Sequence, residues 1–317
     1  MQYRKVGRSG LRVSEISLGS WLTYGNVVER DVARRTIETA YDLGINFFDT
    51  ANVYARGEAE KVVGEVLRQY PRTSYVLATK VFGEMGDGPN DRGLSRKHVL
   101  EQAEASLRRL GTEYIDIYYC HRFDPNTPIE ETLRAFDDLI RQGKVLYMGV
   151  SEWSAVQIAQ ALHIADAKLL SRIIVNQPIY NILNRYIEEE IIPLGSERGF
   201  GQVVFSPLAQ GILTGKYRRG EQPPEGTRAA DPKVRGALAR ILTDERLAQV
   251  DRLADIAREL DMPLARLALA FVLARSNVAS ALIGASRPEQ VVENVTAVGV
   301  ALSEETLAKI DEIAPRR

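Results

Sequence analysis

Eight short apolar runs recur along the chain, separated by longer stretches in which apolar residues return every three to four positions, the helical period. The runs are Ile16–Gly19, Asn46–Thr50, Tyr75–Thr79, Ile115–Cys120, Val145–Val150, Arg172–Asn176, Val203–Ser206 and Ser280–Ile283. They are mostly continuous rather than alternating, as parallel strands covered by helices on their outer face should be. Between them, Val32, Thr36, Ile37, Ala40 and Leu43 fall on one side of a predicted helix, and Leu133, Phe136, Leu139 and Ile140 on one side of another. Ser95 precedes RKHVLEQAEASLRRL and Gly111 follows it, an N-cap and a C-terminal glycine. Gly44 and Gly143 close two further helices, and Pro128 falls in the first turn before IEETLRAFDDLIRQ. Strands alternating with helices read as βαβ units, and eight of them predict an α/β protein, a (β/α)8 TIM barrel.

Some segments stand outside this rhythm. A Ser9-Gly10 turn between short β-like stretches predicts a short N-terminal β-hairpin. Extra helices are expected around Asp244–Leu260 and Glu304–Ile313. The polar stretch Tyr217–Asp231, YRRGEQPPEGTRAAD, is too long for a connector and reads as a lid or binding loop. No linker or repeat divides the chain, so residues 1–317 are expected to form a single barrel domain.

Composition narrows the function classes. With 41 Lys+Arg against 42 Asp+Glu the net charge is −1, which gives no electrostatic reason to expect nucleic acid as a partner. The most apolar stretch, Pro263 to Ala285, is interrupted by Arg266 and Arg275, and the first residues hold no signal-peptide core, so no membrane insertion is expected. Cys120 is the only cysteine and fits a reducing, cytoplasmic setting. One cysteine and three widely spaced histidines, His98, His121 and His163, offer no metal-ligand pattern.

The chemistry lies at the strand ends, which converge on one mouth in such a barrel. They carry Asp49 after INFF, Lys80 after YVLAT and His121 after IDIYYC, while Tyr54 lies five residues beyond Asp49. An ammonium near a phenol favours phenolate, so Lys80 is expected to lower the pKa of Tyr54 and make it a better proton donor. Asp49 would hold Lys80 charged, and His121 would orient a carbonyl oxygen. The group suits carbonyl reduction. A Schiff-base aldolase using Lys80 is the competing chemistry, but it needs a neutral amine, which Asp49 opposes. Neither a complete G-x-G-x-x-G nor a P-loop is present, and GEMGDGPND, Gly83 to Asp91, reads as a plain loop. Trp21, Tyr24, Phe82 and Trp153 are candidates for an apolar substrate pocket.

With those residues in order, the sequence resembles the aldo-keto reductase superfamily. The likeness rests on INFFDTANVYARGEAEKVVGEVL, VLATKV, YIDIYYCHRFDP, MGVSEW, IIVNQPIYN, FSPLAQGILTGKY and LIGASRPEQVVEN, which cover most of the chain. The last two segments are closer to the branch that holds bacterial aldo-keto reductases and the β subunits of voltage-gated potassium channels. The resemblance implies an NADPH-dependent reductase of aldehydes and ketones, with Asp49, Tyr54, Lys80 and His121 as a catalytic tetrad and Tyr54 as proton donor. It also implies NADPH/NADP+ bound without a Rossmann fold. Gly19, Ser20, Trp21 and Asp49 would lie beside the nicotinamide and ribose, and Ser151 and Gln177 at the carboxamide. Phe205 stands where the family often stacks Trp or Tyr on the nicotinamide. Ser206, Pro207, Leu208, Gly211 and Lys216 would span the pyrophosphate. Gly284, Ser286, Arg287, Gln290, Glu293 and Asn294, with Arg228 of the long loop, would hold the adenosine end. Independently, a strand ending in Gly284-Ala-Ser-Arg287 before Pro288 presents N–H groups and a cation to an anion, and an arginine beside the ribose 2′-phosphate favours NADP over NAD. The implied partner is a small carbonyl substrate, and homo-oligomers are compatible with it. The channel likeness implies an alternative, a regulatory or redox-sensing subunit with slow turnover.

Overall fold

Strands rich in Val, Ile, Phe and Tyr need cover on both faces, and this chain provides it by closing them into a ring wrapped in helices. The computed structural model describes residues 1–21, 28–225, 227, 229–230, 238 and 241–316. The chain opens with an antiparallel hairpin, β1 (Tyr3–Lys5) and β2 (Arg12–Ser14), in which Arg4 faces Val13. The ring follows: β3 (Ile16–Gly19), β4 (Phe47–Asp49), β5 (Val76–Val81), β6 (Ile115–Cys120), β7 (Val145–Ser151), β8 (Ile173–Gln177), β9 (Gly201–Phe205) and β10 (Val278–Gly284). Every neighbouring pair is parallel, and β10 closes onto β3. This is the (β/α)8 barrel expected, with the hairpin at its N-terminal side.

The crossovers are helical. They are α1 (Arg30–Asp42), α2 (Glu58–Leu67), α3 (Arg96–Leu110), α4 (Ile129–Arg141), α5 (Ala155–Lys168) and α6 (Ile191–Arg198). Between β9 and β10 run α7 (Asp244–Glu259) and α8 (Leu264–Leu273), and α9 (Pro288–Val295) and α10 (Glu304–Ile313) complete the chain. The two extra helices expected from the pattern are α7 and α10. Helix starts follow capping chemistry: Ser95 accepts the His98 amide, and Ser154 and Gln157 form a reciprocal capping box. Pro128 is the N-cap rather than a first-turn residue, because its ψ of 133° is extended and α4 begins at Ile129.

Two apolar cores result. One lies between ring and helices; the other fills the barrel with Phe47, Val76, Ala78, Ile117, Tyr119, Val175, Val203 and Leu282, and Val6 and Val13 of the hairpin segment join it. Arg4 of β1 donates to the carbonyls of Leu273 and Val278, fixing the hairpin against the start of β10. The hairpin segment therefore stoppers the N-terminal end, leaving the opposite mouth open.

Within the barrel, large and small residues alternate between neighbours. Gly149 pairs with Tyr119 in register, and a Cβ on Gly149 would lie 2.5 Å from the Tyr119 ring and 2.8 Å from Val175. Gly149→Ala should therefore destabilise the fold by about 1–3 kcal/mol through overpacking, read as a lower denaturation midpoint at unchanged slope.

Candidate active site

A period of two along each strand decides what reaches the open mouth. In β4, Phe47 and Asp49 face inward while Phe48 packs outward, and in β5 Val76, Ala78 and Lys80 share the inward side. β6 carries Ile117 and Tyr119 inward, with His121 next on the same side, and β7 and β8 bring Ser151 and Gln177 to matching register positions. Lys80 lies within β5 rather than beyond its end, since the strand runs on to Val81.

Lys80 and Asp49 form an ion pair whose side chains are each about 1% exposed. The Lys80 ammonium also donates to the Thr50 carbonyl at 2.7 Å, and the second oxygen of Asp49 accepts from Gln177 Nε2 at 2.8 Å. Two of the three ammonium N–H groups are thus placed. The Lys80 nitrogen lies 5.1 Å from the centre of the Tyr54 ring. Tyr54 meets His121 edge to face, with ring centroids 5.6 Å apart. The four side chains singled out in the sequence are therefore brought together.

Local backbone geometry aims Tyr54. It is followed by Ala55 at φ 47°, Arg56 at φ 52° and Gly57 at φ 92°, a left-handed turn that leads directly into α2. At Gly57 a side chain would strike Arg109, whose Nε donates to the buried Glu60 at 2.5 Å. Glu60 also accepts from Thr79, the neighbour of Lys80. The turn holding Tyr54 is thereby tied to the strand holding Lys80. Six of the eight described non-glycine residues with positive φ lie in or beside the cleft: Ala55, Arg56, Glu152, Ser206, Ala209 and Gln210.

The mouth opens into a cleft of about 1350 Å³, more than one drug-sized ligand fills. Its walls include Gly19, Trp21, Asp49, Tyr54, His121, Ser151, Gln177, Phe205, Ser206, Pro207, Leu208, Gly211 and Lys216, and it continues to Gly284, Ser286, Arg287, Gln290, Glu293 and Asn294. Two residues expected in the tetrad or at the cofactor do not line it. Ser20 is turned into the protein, where its hydroxyl donates to Thr50 Oγ1 at 2.9 Å, and Lys80 lies beneath the floor. Arg228 and Tyr24 lie outside the described residues. Glu225, Thr227 and Ala230 bring the long polar loop to the cleft wall. Trp153 is core, 1% exposed and edge-on to Phe123, and Phe82 packs against the core as well. The sequence reading missed Arg122, Thr214, Pro263 and Ala265 of the lining. Arg122 had a signal in its place directly after His121; the others come from turns and a helix start that strand ends do not reveal.

Electrostatics departs from expectation at Tyr54. Its pKa is raised above the ordinary phenol value, because burial and the charge of Asp49 both disfavour phenolate and Arg122 opposes them only in part. The lowering expected from Lys80 does not emerge: burial, with the Asp49 charge, sets the direction. Burial pushes Lys80 down, with Asp49 opposing, and pushes Asp49 up, with Lys80 opposing. His121 is pushed well down by burial and by the Lys80 and Arg122 cations, so its imidazole is neutral.

Among the described residues, no cluster of three or more His, Cys, Asp and Glu is placed to hold a metal, and no helix is long and apolar enough to cross a membrane. A stoppered parallel barrel thus carries an acid, an amine, a phenol and an imidazole at its mouth. The model of the aldo/keto reductase family matches residues 15–315, and the chain belongs to that family. A protein of Oryza sativa subsp. japonica with the name "Probable voltage-gated potassium channel subunit beta" is 44% identical over 318 residues, covering 99% of this chain and 96% of its own. A protein of the same name from Arabidopsis thaliana is 44% identical over the same length, with the same coverage.

Burial of a neutral His121 makes stability depend on pH. An unfolded histidine titrates near pH 6.5. Above that pH neither state binds the proton; below it the unfolded chain takes one up that the folded chain refuses, so the stabilisation present at higher pH is lost as pH falls. His98 is lowered too and acts with the same sign. His121→Asn should reduce the proton uptake on unfolding as pH falls below about 6.5, by up to one proton, measured as the slope of unfolding free energy against pH.

Proposed function

We propose that this protein is an NADPH-dependent reductase of aldehydes and ketones in which Tyr54 delivers the proton to the carbonyl oxygen. The observation that carries the reading is the buried Lys80–Asp49 pair beneath Tyr54, with His121 edge-on to the phenol, at the floor of a cleft roomy enough for a dinucleotide and a substrate. NADPH, when bound, would supply the hydride. Tyr54 keeps its proton at neutral pH and releases it only as negative charge builds on the substrate oxygen, while Lys80 and Arg122 stabilise the tyrosinate left behind. Neutral His121 shares the carbonyl oxygen as a hydrogen-bonding partner. A Schiff-base role for Lys80 is opposed by its engagement with Asp49 and Thr50.

The cofactor's carboxamide would meet Ser151 and the Gln177 amide, and the ring of Phe205 would face the nicotinamide. Ser206 to Leu208, Gly211 and Lys216 would follow the pyrophosphate, with Gly284 to Asn294 around the adenosine. Arg287, 59% exposed and only loosely paired with Glu289 at 3.7 Å, is available to a 2′-phosphate. In this reading residues 1–317 act as one cytoplasmic barrel unit. The names of the two plant relatives support a second reading, a channel-associated subunit. Co-purification with a channel and negligible turnover on a broad carbonyl panel would favour it.

Tyr54→Phe should lower turnover by orders of magnitude and leave NADPH binding nearly intact, measured by NADPH oxidation and by fluorescence titration. Retention of most activity would take Tyr54 out of its role. Arg287→Ala should weaken NADPH relative to NADH by about 1–3 kcal/mol, and an equal loss for both cofactors would remove the phosphate contact.

A further inference from the structure

The inner end of the cleft holds a second cation besides Lys80. Arg122 follows His121 directly at the end of β6 and lines the cleft beside Tyr54, His121 and Ser151. Its guanidinium is anchored at one corner only. Nη1 donates to the His121 carbonyl at 2.6 Å and lies 3.5 Å from Ser151 Oγ. Nε and Nη2, which carry the remaining three N–H groups, meet no acceptor among the described residues. The acidic groups at this end are otherwise engaged. Asp49 is paired with Lys80 and holds the Gln177 amide, and Glu152 accepts from the Ile179 amide at 2.7 Å and from the Tyr186 hydroxyl at 3.0 Å. The charge of Arg122 is felt at Tyr54, His121 and Lys80, which puts it in the field of the candidate reacting group.

We propose that Arg122 is a specificity-determining residue that receives a carboxylate carried by the substrate, so that the protein prefers small aldehydes bearing a carboxylate a few bonds from the carbonyl carbon. This rests on the reductase reading above. The planar edge formed by Nε and Nη2 matches the two oxygens of a carboxylate, and the anchored Nη1 fixes its direction before substrate arrives. Arg122 is exposed at the cleft wall, so the planar two-point pairing rather than low screening carries the preference. A neutral aldehyde of the same shape leaves those donors without a charged partner.

The test compares succinic semialdehyde with its methyl ester, using NADPH and the wild type, Arg122→Gln and Arg122→Lys. The wild type should favour the acid over the ester by about tenfold to a hundredfold in kcat/KM, chiefly through KM. In Arg122→Gln the ratio should collapse toward one, and Arg122→Lys should recover part of it. Benzoate binding, measured by calorimetry, should weaken by a similar factor in Arg122→Gln, while benzamide binding moves far less. A wild-type ratio near one, or a ratio unchanged in Arg122→Gln, would overturn the assignment while leaving the reductase reading intact. A parallel loss for acid and ester with weakened cofactor binding would give Arg122 to the cofactor and likewise overturn it. If neither aldehyde is reduced but benzoate binding tracks Arg122, the reductase reading falls and the carboxylate contact stands.

Discussion

Everything at the mouth of this barrel is arranged around one buried ion pair. Removing an ammonium and a carboxylate from water costs several kcal/mol per ion, and their mutual attraction only roughly repays it. Such a pair is weak evidence for stability, and a well-packed apolar pair would hold the barrel as well. What it does here is fix geometry: Lys80 is held by Asp49 and Thr50, Asp49 in turn holds the Gln177 amide, and the phenol above faces a cation with two of its three donors engaged.

The fold supplies that pair through strand parity, and the turns supply what parity cannot. Inward positions on successive strands put Asp49, Lys80, His121, Ser151 and Gln177 around one opening, because each strand advances two residues per inward side chain. Tyr54 does not come from a strand. It reaches the same opening through a left-handed turn, braced by Arg109 and Glu60, whose non-glycine residues Ala55 and Arg56 carry conformational strain. The turns after β7 and β9 repeat the pattern at Glu152 and at Ser206 to Gln210. A rigid ring thus presents a rim of strained turns, and the polar groups of the cleft sit on that rim.

The division between ring and rim explains how far the sequence could be read. Continuous apolar runs and helix punctuation are local signals, so the eight strands, the hairpin and the two added helices were legible, with strand ends displaced by a residue or two. Asp49, Lys80 and His121 were legible as polar residues closing apolar runs, since a charge there has few places to go except the mouth. Side-chain direction in turns was not. Ser20 adjoins Gly19 in sequence yet points at Thr50, and Trp153 adjoins Ser151 and Glu152 yet packs on Phe123. Arg122 is an exposed residue, and its anchoring on the His121 carbonyl had no signal in the sequence. The direction of the Tyr54 shift was also beyond the sequence, because it depends on the balance of burial and the Asp49 charge against the Arg122 cation.

That shift bears on how a proton donor of this kind works. A phenol with a lowered pKa would spend part of its time as phenolate and be unable to donate. A phenol with a raised pKa is always loaded, but the anion it leaves behind must be stabilised at the moment of transfer. On the proposed reading the buried floor serves both needs. It keeps the proton on Tyr54 in the resting state, and it strengthens the attraction of Lys80 for negative charge that develops on the phenol, with Arg122 adding its field from the exposed wall. The charge of Asp49 offsets much of this attraction before substrate binds. A carboxylate seated on Arg122 would cancel that cation too, leaving Lys80 as the principal stabiliser of the tyrosinate. Substrate recognition and proton donation would then draw on different cations.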